Sequence, residues 1–572
     1  MRPESESVFT SILWPRGAAP ALDASADAAS ALHDLALDQV LTRIAESAPA
    51  ARAAWSHPLS DPADITYRQR VFTALEDQDL RRGVQAFLQA AAHSARLETA
   101  AADSRSPLLS VLLHCRALTV WTGAVDALDT LLAARITADE GPADDGSLED
   151  EKTAGDAPGS TTCDGWHLLT EHVRSLRRSP TFTSLAADAR AAREHLAAFR
   201  YDALLRPGRV VVGPHRTTDD LVEHTRAVLS LFADPGPAGP RDERAEHASG
   251  SDDDAAAAAE STTEANESTE MLDHVQLWML EHASAMAPEL FDPILEIAAR
   301  TADFRDPVLV RFADEVRFYL ALRDMLSLMR RAGLPVCIPQ VTSAAPSAAD
   351  DHRLEVESAW DLALGARLTA DGSEVVTNDV SLRGAERILV VSGPNQGGKT
   401  TLARTVGQLH HLAALGCPVP AASARIPLTD QVMCLFEREE DLDAVEGRLA
   451  REVTRLHSML ERATPRSVLV INEAFASTAL ADARVLTRDV LERIIDRGAS
   501  AVCVTFIDEL SRLGPATVSM VAQVDPEDPA RRTLRVVRAP AAGRAFARAL
   551  AERHGLSPAL IAAHLHELGA SR

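Results

Sequence analysis

Apolar residues recur at three- and four-residue spacing over Ile65–Ala92, Pro107–Leu132, Trp166–Arg178 and Ser184–Phe199. The same spacing returns over Leu272–Met286, Glu289–Ala302 and Val308–Ala332. That period puts the apolar side chains on one helix face and predicts a helical scaffold. The last segment carries Val310, Phe312, Val316, Tyr319, Leu320, Leu322 and Leu326, a stripe suited to helix packing. A short strand-like run, Arg209–Gly213, interrupts the helices. After residue 341 the texture changes. Arg387–Ser392, Ser467–Ile471, Ala501–Phe506, Val518–Val524 and Leu534–Arg538 are short β-rich runs. Between them lie helical stretches Thr400–Leu415, stopped at Gly416, and Asp482–Arg497, stopped at Gly498. Strands alternating with crossover helices predict a mostly parallel, doubly wound sheet. The boundary between the two textures falls in Ser343–Asp351.

Two stretches fit neither pattern. Residues 139–164 hold nine acidic residues against one lysine, and residues 234–270 hold eleven against two arginines. Both are rich in Pro, Gly, Ser, Thr and Ala, and such segments cannot bury enough apolar surface to order themselves. They are expected to be unstructured surface insertions. The expected division is therefore a helical region over residues 1–138, an acidic insertion 139–164, a helical continuation with a short strand 165–233, a second insertion 234–270, further helices 271–342 and an α/β domain 343–572.

Charge and composition sharpen this picture. The net charge of −25 is concentrated in the two insertions, which carry −8 and −9 and leave −8 on the rest, so a local basic groove remains compatible with the totals. No run approaches the roughly 18 consecutive apolar residues that would span a bilayer, and the first residues do not read as a signal peptide. No membrane association is expected. Six cysteines without a CxxC pair fit a reducing compartment, the cytoplasm, better than a disulfide scaffold or a zinc site. The basic residues are unusual: 56 of 58 are arginine. One of the two lysines, Lys152, sits in an acidic insertion; the other, Lys399, ends the run Gly393-Pro394-Asn395-Gln396-Gly397-Gly398-Lys399-Thr400. A lysine kept in a chain that otherwise uses arginine points to chemistry a guanidinium cannot perform.

That run is a phosphate-loop pattern, because Ile388–Ser392 reads as the strand before it and Thr400 opens a helix. The glycines let successive N–H groups converge on phosphate oxygens at a helix N-terminus. Lys399 is expected at the β- and γ-phosphates of ATP and the Thr400 hydroxyl at Mg²⁺, with Thr401 following in the helix. A second apolar strand, Ser467–Ile471, runs into Asn472-Glu473. Glu473 is placed to orient or deprotonate an attacking water. Asn472 stands where an aspartate usually supports the metal, and its uncharged amide predicts weaker Mg²⁺ binding.

These residues resemble the MutS DNA mismatch repair ATPases. The Pro394-Asn395 pair, the run Gly416-Cys417-Pro418-Val419-Pro420-Ala421 and Val376-Thr377-Asn378-Asp379 are similar to that family's motifs, and the likeness is continuous over roughly residues 355–560. In the N-terminal half it is weaker, where Ile65-Thr66-Tyr67-Arg68-Gln69-Arg70 looks like the start of the family's helical core and lever region. The resemblance implies a helical core/lever scaffold followed by an ABC-like P-loop NTPase domain, ATP and Mg²⁺ as cofactors, DNA as partner, and a homodimer. Dimerisation helices would fall in the C-terminal tail, Arg544–Leu568.

The departures from the family are as informative. Asn472-Glu473 replaces Asp-Glu, and the loop after it keeps Thr478 and Asp482 but loses its glycines. Thr505-Phe506 replaces a Thr-His pair whose histidine senses nucleotide. The serine that the family offers across its dimer falls on Gly447, next to Arg448, while Glu452 matches. Arg448 is either a γ-phosphate sensor acting in trans or an exposed arginine paired with Asp443 or Glu452. None of the fourteen phenylalanines is followed two residues on by glutamate, so the Phe-x-Glu wedge that reads mismatches is missing. DNA contact would fall to arginines on backbone phosphates, with Arg174, Arg177, Arg178, Arg81 and Arg82 as candidates. Two readings follow: a slow ATPase that switches a dimeric DNA clamp, or a non-hydrolysing, nucleotide-gated scaffold for other proteins.

Overall fold

A computed structural model describes residues 9–16, 26–45, 50–139, 164–199, 201–206, 209–214, 274–342, 352–436, 447–525, 527 and 531–541. Most of both acidic insertions, the Ser343–Asp351 boundary and the tail Arg544–Leu568 lie outside these residues. The chain forms two compact units. One comprises residues 1–8, 78–156 and 168–313; the other comprises 9–77, 157–167 and 314–572.

The first unit is built on a hairpin of two long helices, Gln78–Asp103 and Pro107–Asp139. Their seam is apolar: Val84, Phe87, Leu118, Trp121, Val125 and Leu128 are buried. Residues 168–178 of the helix Asp164–Arg178 and the helices Pro180–Ala198, His274–Ala285 and Pro288–Arg300 complete it, with an antiparallel hairpin of β1 (Tyr201–Arg206) and β2 (Arg209–Pro214). Pro107–Arg135 is long and apolar enough to cross a membrane by length and composition alone. Its buried side chains, Leu112, Cys115, Leu118, Trp121, Val125, Leu128 and Leu132, mark it as a core helix instead. The periodicity over Ile65–Ala92 does not form one helix. It breaks at Leu75–Asp77 between Pro62–Ala74 and Gln78–Asp103, where the N–H groups of Glu76 and Asp77 close tight turns on Thr73 and Ala74. Leu75 is buried in that turn, so the apolar spacing runs on through a break in the backbone.

Among the described residues, the second unit holds ten strands in two sheets. β6 (Ile388–Ser392) lies inside a six-stranded sheet between β11 (Thr517–Val524) and β10 (Ser500–Val504). Beyond β10 come β9 (Val468–Asn472) and the edge strand β8 (Val432–Leu435), all parallel. Only β12 (Arg532–Arg538), on β11, is antiparallel in this sheet. β6, β9 and β10 are near-continuous apolar runs, as parallel strands covered on both faces must be. The second sheet was not anticipated. It pairs β3 (Gln340–Thr342), β7 (Ser423–Pro427), β4 (His352–Ala359) and β5 (Asn378–Arg383), and it is mixed.

Helices near the N-terminus, Ala26–Asp34, Leu37–Ala45 and Ala51–Ser56, were also not anticipated, and they belong to this unit. Asp34 accepts from Arg455 at 2.7 Å, and Arg455 also donates to the Cys434 carbonyl on edge strand β8. The preceding segment is held as firmly. Glu315 accepts from the Ser11 hydroxyl at 2.7 Å and from the Ile12 and Leu13 amides. Arg68, wholly buried under the Trp14 ring, donates to the Leu13 and Leu415 carbonyls.

The helix Lys399–Ala414, which follows β6, is buried along its second half. Burial pushes the imidazoles of His410 and His411 down to about 4 from an ordinary 6.5. Both are neutral at pH 7, and the His411 ring nitrogen lies 3.0 Å from the Trp55 carbonyl. Below pH 6.5 the unfolded chain takes up these protons and the folded one resists. Stability is therefore full above about 6.5 and is lost as pH falls toward 4, by about 2 kcal/mol per histidine at pH 5. Urea titrations at pH 7 and pH 5 should show this, with a shallower loss in His410→Gln; an equal loss in that variant would remove the histidine as a cause.

Candidate functional site

β6, β9 and β10 are adjacent and parallel, so their carboxyl ends open at one edge of the sheet, where ligands of such sheets bind. Three segments emerge there: the glycine-rich loop after β6, Asn472-Glu473 at the end of β9 and Thr505-Phe506 after β10. The sheet thus brings together residues that lie far apart along the chain.

The loop needs glycine where its backbone turns left-handed. Gly393 has φ +122° and Gly398 has φ +90° at the helix N-cap. A Cβ on Gly393 would press on Ala522, and one on Gly398 would meet the Leu534 carbonyl at 3.0 Å. Pro394 and Gly397 are buried, while Asn395 and Gln396 are exposed at the crest, Gln396 with φ +59°. The loop is braced from β12, where Arg532 donates to the Asn395 carbonyl at 3.2 Å. β12 itself is tied by Asn378, which accepts from the Val536 amide and donates to the Leu534 carbonyl. Asn378 lies in the segment Val376–Asp379 singled out from the sequence.

Lys399 is 4 % exposed and points into this cradle. Its ammonium donates to the Gly393 carbonyl at 2.9 Å and to Asn395 Oδ1 at 3.3 Å, and lies 3.7 Å from Glu473 Oε1. The Phe506 ring covers it, centroid 4.1 Å away, although the Phe506 residue is half exposed. Burial pushes the Lys399 ammonium below its ordinary value, and the Glu473 carboxylate opposes that shift. An ammonium drawn from water and ringed by weak acceptors is poised for a stronger anion. One residue on, the Thr400 hydroxyl donates to Asn472 Oδ1 at 3.0 Å. These two neutral oxygens would be the groups to hold a Mg²⁺ ion, which would supply positive charge to phosphate oxygens. The Thr401 carbonyl accepts from Thr405 within the helix. The donor set therefore suits a triphosphate, with a metal held less tightly than a carboxylate would hold it.

Glu473 leaves β9 with φ +54°, and Phe475 follows with φ +61°. Two non-glycine residues in the left-handed region cost about 1–3 kcal/mol each, and such strain gathers at functional sites. The Glu473 amide is held by the Val504 carbonyl of β10 at 3.0 Å. The Phe475 amide donates to Glu452 Oε2 at 2.8 Å, and Glu452 Oε1 accepts from Arg448 at 3.0 Å. Arg448 is thus engaged with Glu452 of its own chain, one of the partners its sequence context offered; Asp443 lies outside the described residues. Sequence reasoning missed the Phe506–Lys399 contact and the Glu452–Phe475 bond. The loss of glycines after Glu473 was the available signal for the second.

The arginines suggested for DNA contact lie in the first unit. Arg177 is bound by Asp126 at 2.7 Å and by Asp129, and Arg82 pairs with Asp79 one turn away. Arg178 is exposed at the end of its helix.

Residues 389–564 match the MutS domain V family. A DNA mismatch repair protein MutS of Granulibacter bethesdensis is 31% identical over 173 residues, 30% of this chain and 19% of that protein. One of Lactobacillus helveticus is 28% identical over 227 residues, 38% and 26% respectively. An endonuclease MutS2 of Anaeromyxobacter sp. is 33% identical over 147 residues, 26% and 18%. The chain matches only about a fifth to a quarter of these relatives' length. Over residues 389–564, in its C-terminal α/β part, the chain is thus similar to the MutS family.

Proposed function

We propose that this protein is an ATP-dependent DNA-binding protein of the mismatch repair or recombination type, which binds ATP and hydrolyses it slowly to switch a homodimeric clamp on DNA in the cytoplasm. The observation that carries the reading is the buried ammonium of Lys399 in the Gly393–Asn395 cradle, 3.7 Å from Glu473. Lys399 holds the β- and γ-phosphates together with the backbone N–H groups of Asn395 to Thr401, and Glu473 accepts the proton of the attacking water. Thr400 and Asn472 hold Mg²⁺, which, when bound, neutralises charge on the phosphate oxygens. With Asn472 neutral, that stabilisation is reduced and turnover is slow. Arg448 reaches a partner's nucleotide only by leaving Glu452, so a trans role belongs to the ATP-bound dimer.

A second reading has its own support. The Thr400–Asn472 hydrogen bond and the Phe506 ring over Lys399 both satisfy catalytic groups without a nucleotide. They favour a nucleotide-gated scaffold that binds ATP and other proteins without hydrolysis. Phosphate release measured alone and with homoduplex, mismatched and four-way DNA separates the two. The clamp reading expects slow release that DNA accelerates; tight ATP binding with no release under any condition would transfer the case to the scaffold.

A further inference from the structure

We infer that Glu452 is a positioning residue that aims Glu473 by clamping the backbone behind it; the inference rests on the reading of Glu473 as the base for ATP hydrolysis. The loop after β9 departs from extended geometry twice, at Glu473 (φ +54°) and Phe475 (φ +61°), without the glycine that such angles favour. A left-handed residue with a Cβ persists only where its surroundings fix it from more than one side. At Glu473 the fixing bond is to the Val504 carbonyl of the next strand. At Phe475 there are two: the ring is buried in the apolar core that also holds Leu456, Met459 and Leu460 of the helix Arg448–Arg462, and the amide donates to Glu452 of that same helix.

The Glu452 carboxylate is oriented from both oxygens, one by Arg448 at 3.0 Å and the other by the Phe475 amide at 2.8 Å. It is largely buried, so these are bonds made away from water. With the carboxylate gone, the amide would lose its acceptor and the turn could relax toward extended backbone, swinging Glu473 away from Lys399. Glu452 itself touches neither the phosphate cradle nor Thr400. Because it stands in the first turns of its helix, any displacement of that helix start, by a nucleotide or a partner, is passed directly to the base.

Four forms of the full chain test this: wild type, Glu452→Ala, Glu452→Gln and Glu473→Ala. ATP affinity is read by calorimetry, turnover by phosphate release, and the Phe475 amide by hydrogen exchange. In Glu452→Ala, turnover should fall about tenfold or more with ATP affinity unchanged, and the Phe475 amide should exchange about tenfold faster or more. Glu452→Gln keeps an oxygen for that amide and should recover most of both. Should Glu452→Ala not fold, Glu452→Asp, one methylene too short to reach, takes its place. Wild-type turnover in the alanine or aspartate variant, while Glu473→Ala is inactive, overturns the positioning role and leaves the base in place. Wild-type turnover in Glu473→Ala, or none in the wild type, overturns both.

Discussion

Lys399→Ala is expected to abolish ATP binding. The ammonium is the buried cation of the cradle, and it makes charge-assisted contacts that a triphosphate would replace with stronger ones. Truncating one member of a buried charged set costs about 2–5 kcal/mol, because the partner left behind stays unpaired. Here that partner is Glu473, whose carboxylate would then repel the phosphates. The two effects act together, so affinity for MgATP should drop by about a hundredfold or more. Lys399→Arg makes the sharper test. Arginine serves at 56 of the 58 basic positions, so if charge alone mattered it would serve here. A planar fork cannot reproduce the compact point charge that donates to both the Gly393 carbonyl and Asn395 Oδ1, and binding should fail in this variant too. Calorimetry with MgATP decides both, and wild-type affinity in Lys399→Ala would remove the site.

What could be read from the sequence follows from the range of each interaction. The strands β6, β9 and β10 were legible because burial on both faces writes an unbroken run of four apolar residues into each. The glycine-rich turn was legible because its backbone demands glycine at fixed places, and Thr400 and Asn472, which the structure brings to 3.0 Å, each lay in a local motif. The small sheet was not. In β4 only Leu354 and Val356 alternate against Arg353, Glu355 and Glu357, too short a pattern to separate from a loop. The N-terminal segment escaped for a different reason. Ser11 meets Glu315, and Asp34 meets Arg455, across more than three hundred positions, and no local period encodes such a pairing. The break at Leu75 was hidden because a buried turn residue continues the apolar spacing of the helices on either side. At the site, the chemistry-bearing residues were visible and their restraints were not: nothing in the order of residues places Phe506 over Lys399 or Glu452 beneath Phe475.

Glu473→Ala should separate binding from turnover. The side chain contributes no hydrogen-bond donor to the cradle, and removing its negative charge relieves repulsion toward the phosphates, so ATP affinity should hold or rise slightly. Its absence also leaves Lys399 without its nearby carboxylate, which frees the ammonium for the incoming anion. Turnover depends on the same carboxylate differently. A positioned base contributes about 10²–10⁴ in rate, so phosphate release should fall by at least the lower figure. Glu473→Gln refines the test, since an amide of the same shape keeps the loop's packing and its amide bond to Val504 while losing basicity. Both variants should bind MgATP and stall. Asn472→Asp supplies the opposite change: a charge beside Thr400 should tighten Mg²⁺ and raise turnover in the wild-type background, yet it should not restore the Glu473 variants. If Glu473→Gln releases phosphate at the wild-type rate, another group abstracts the proton, and the strained backbone at this position serves some purpose other than holding a base.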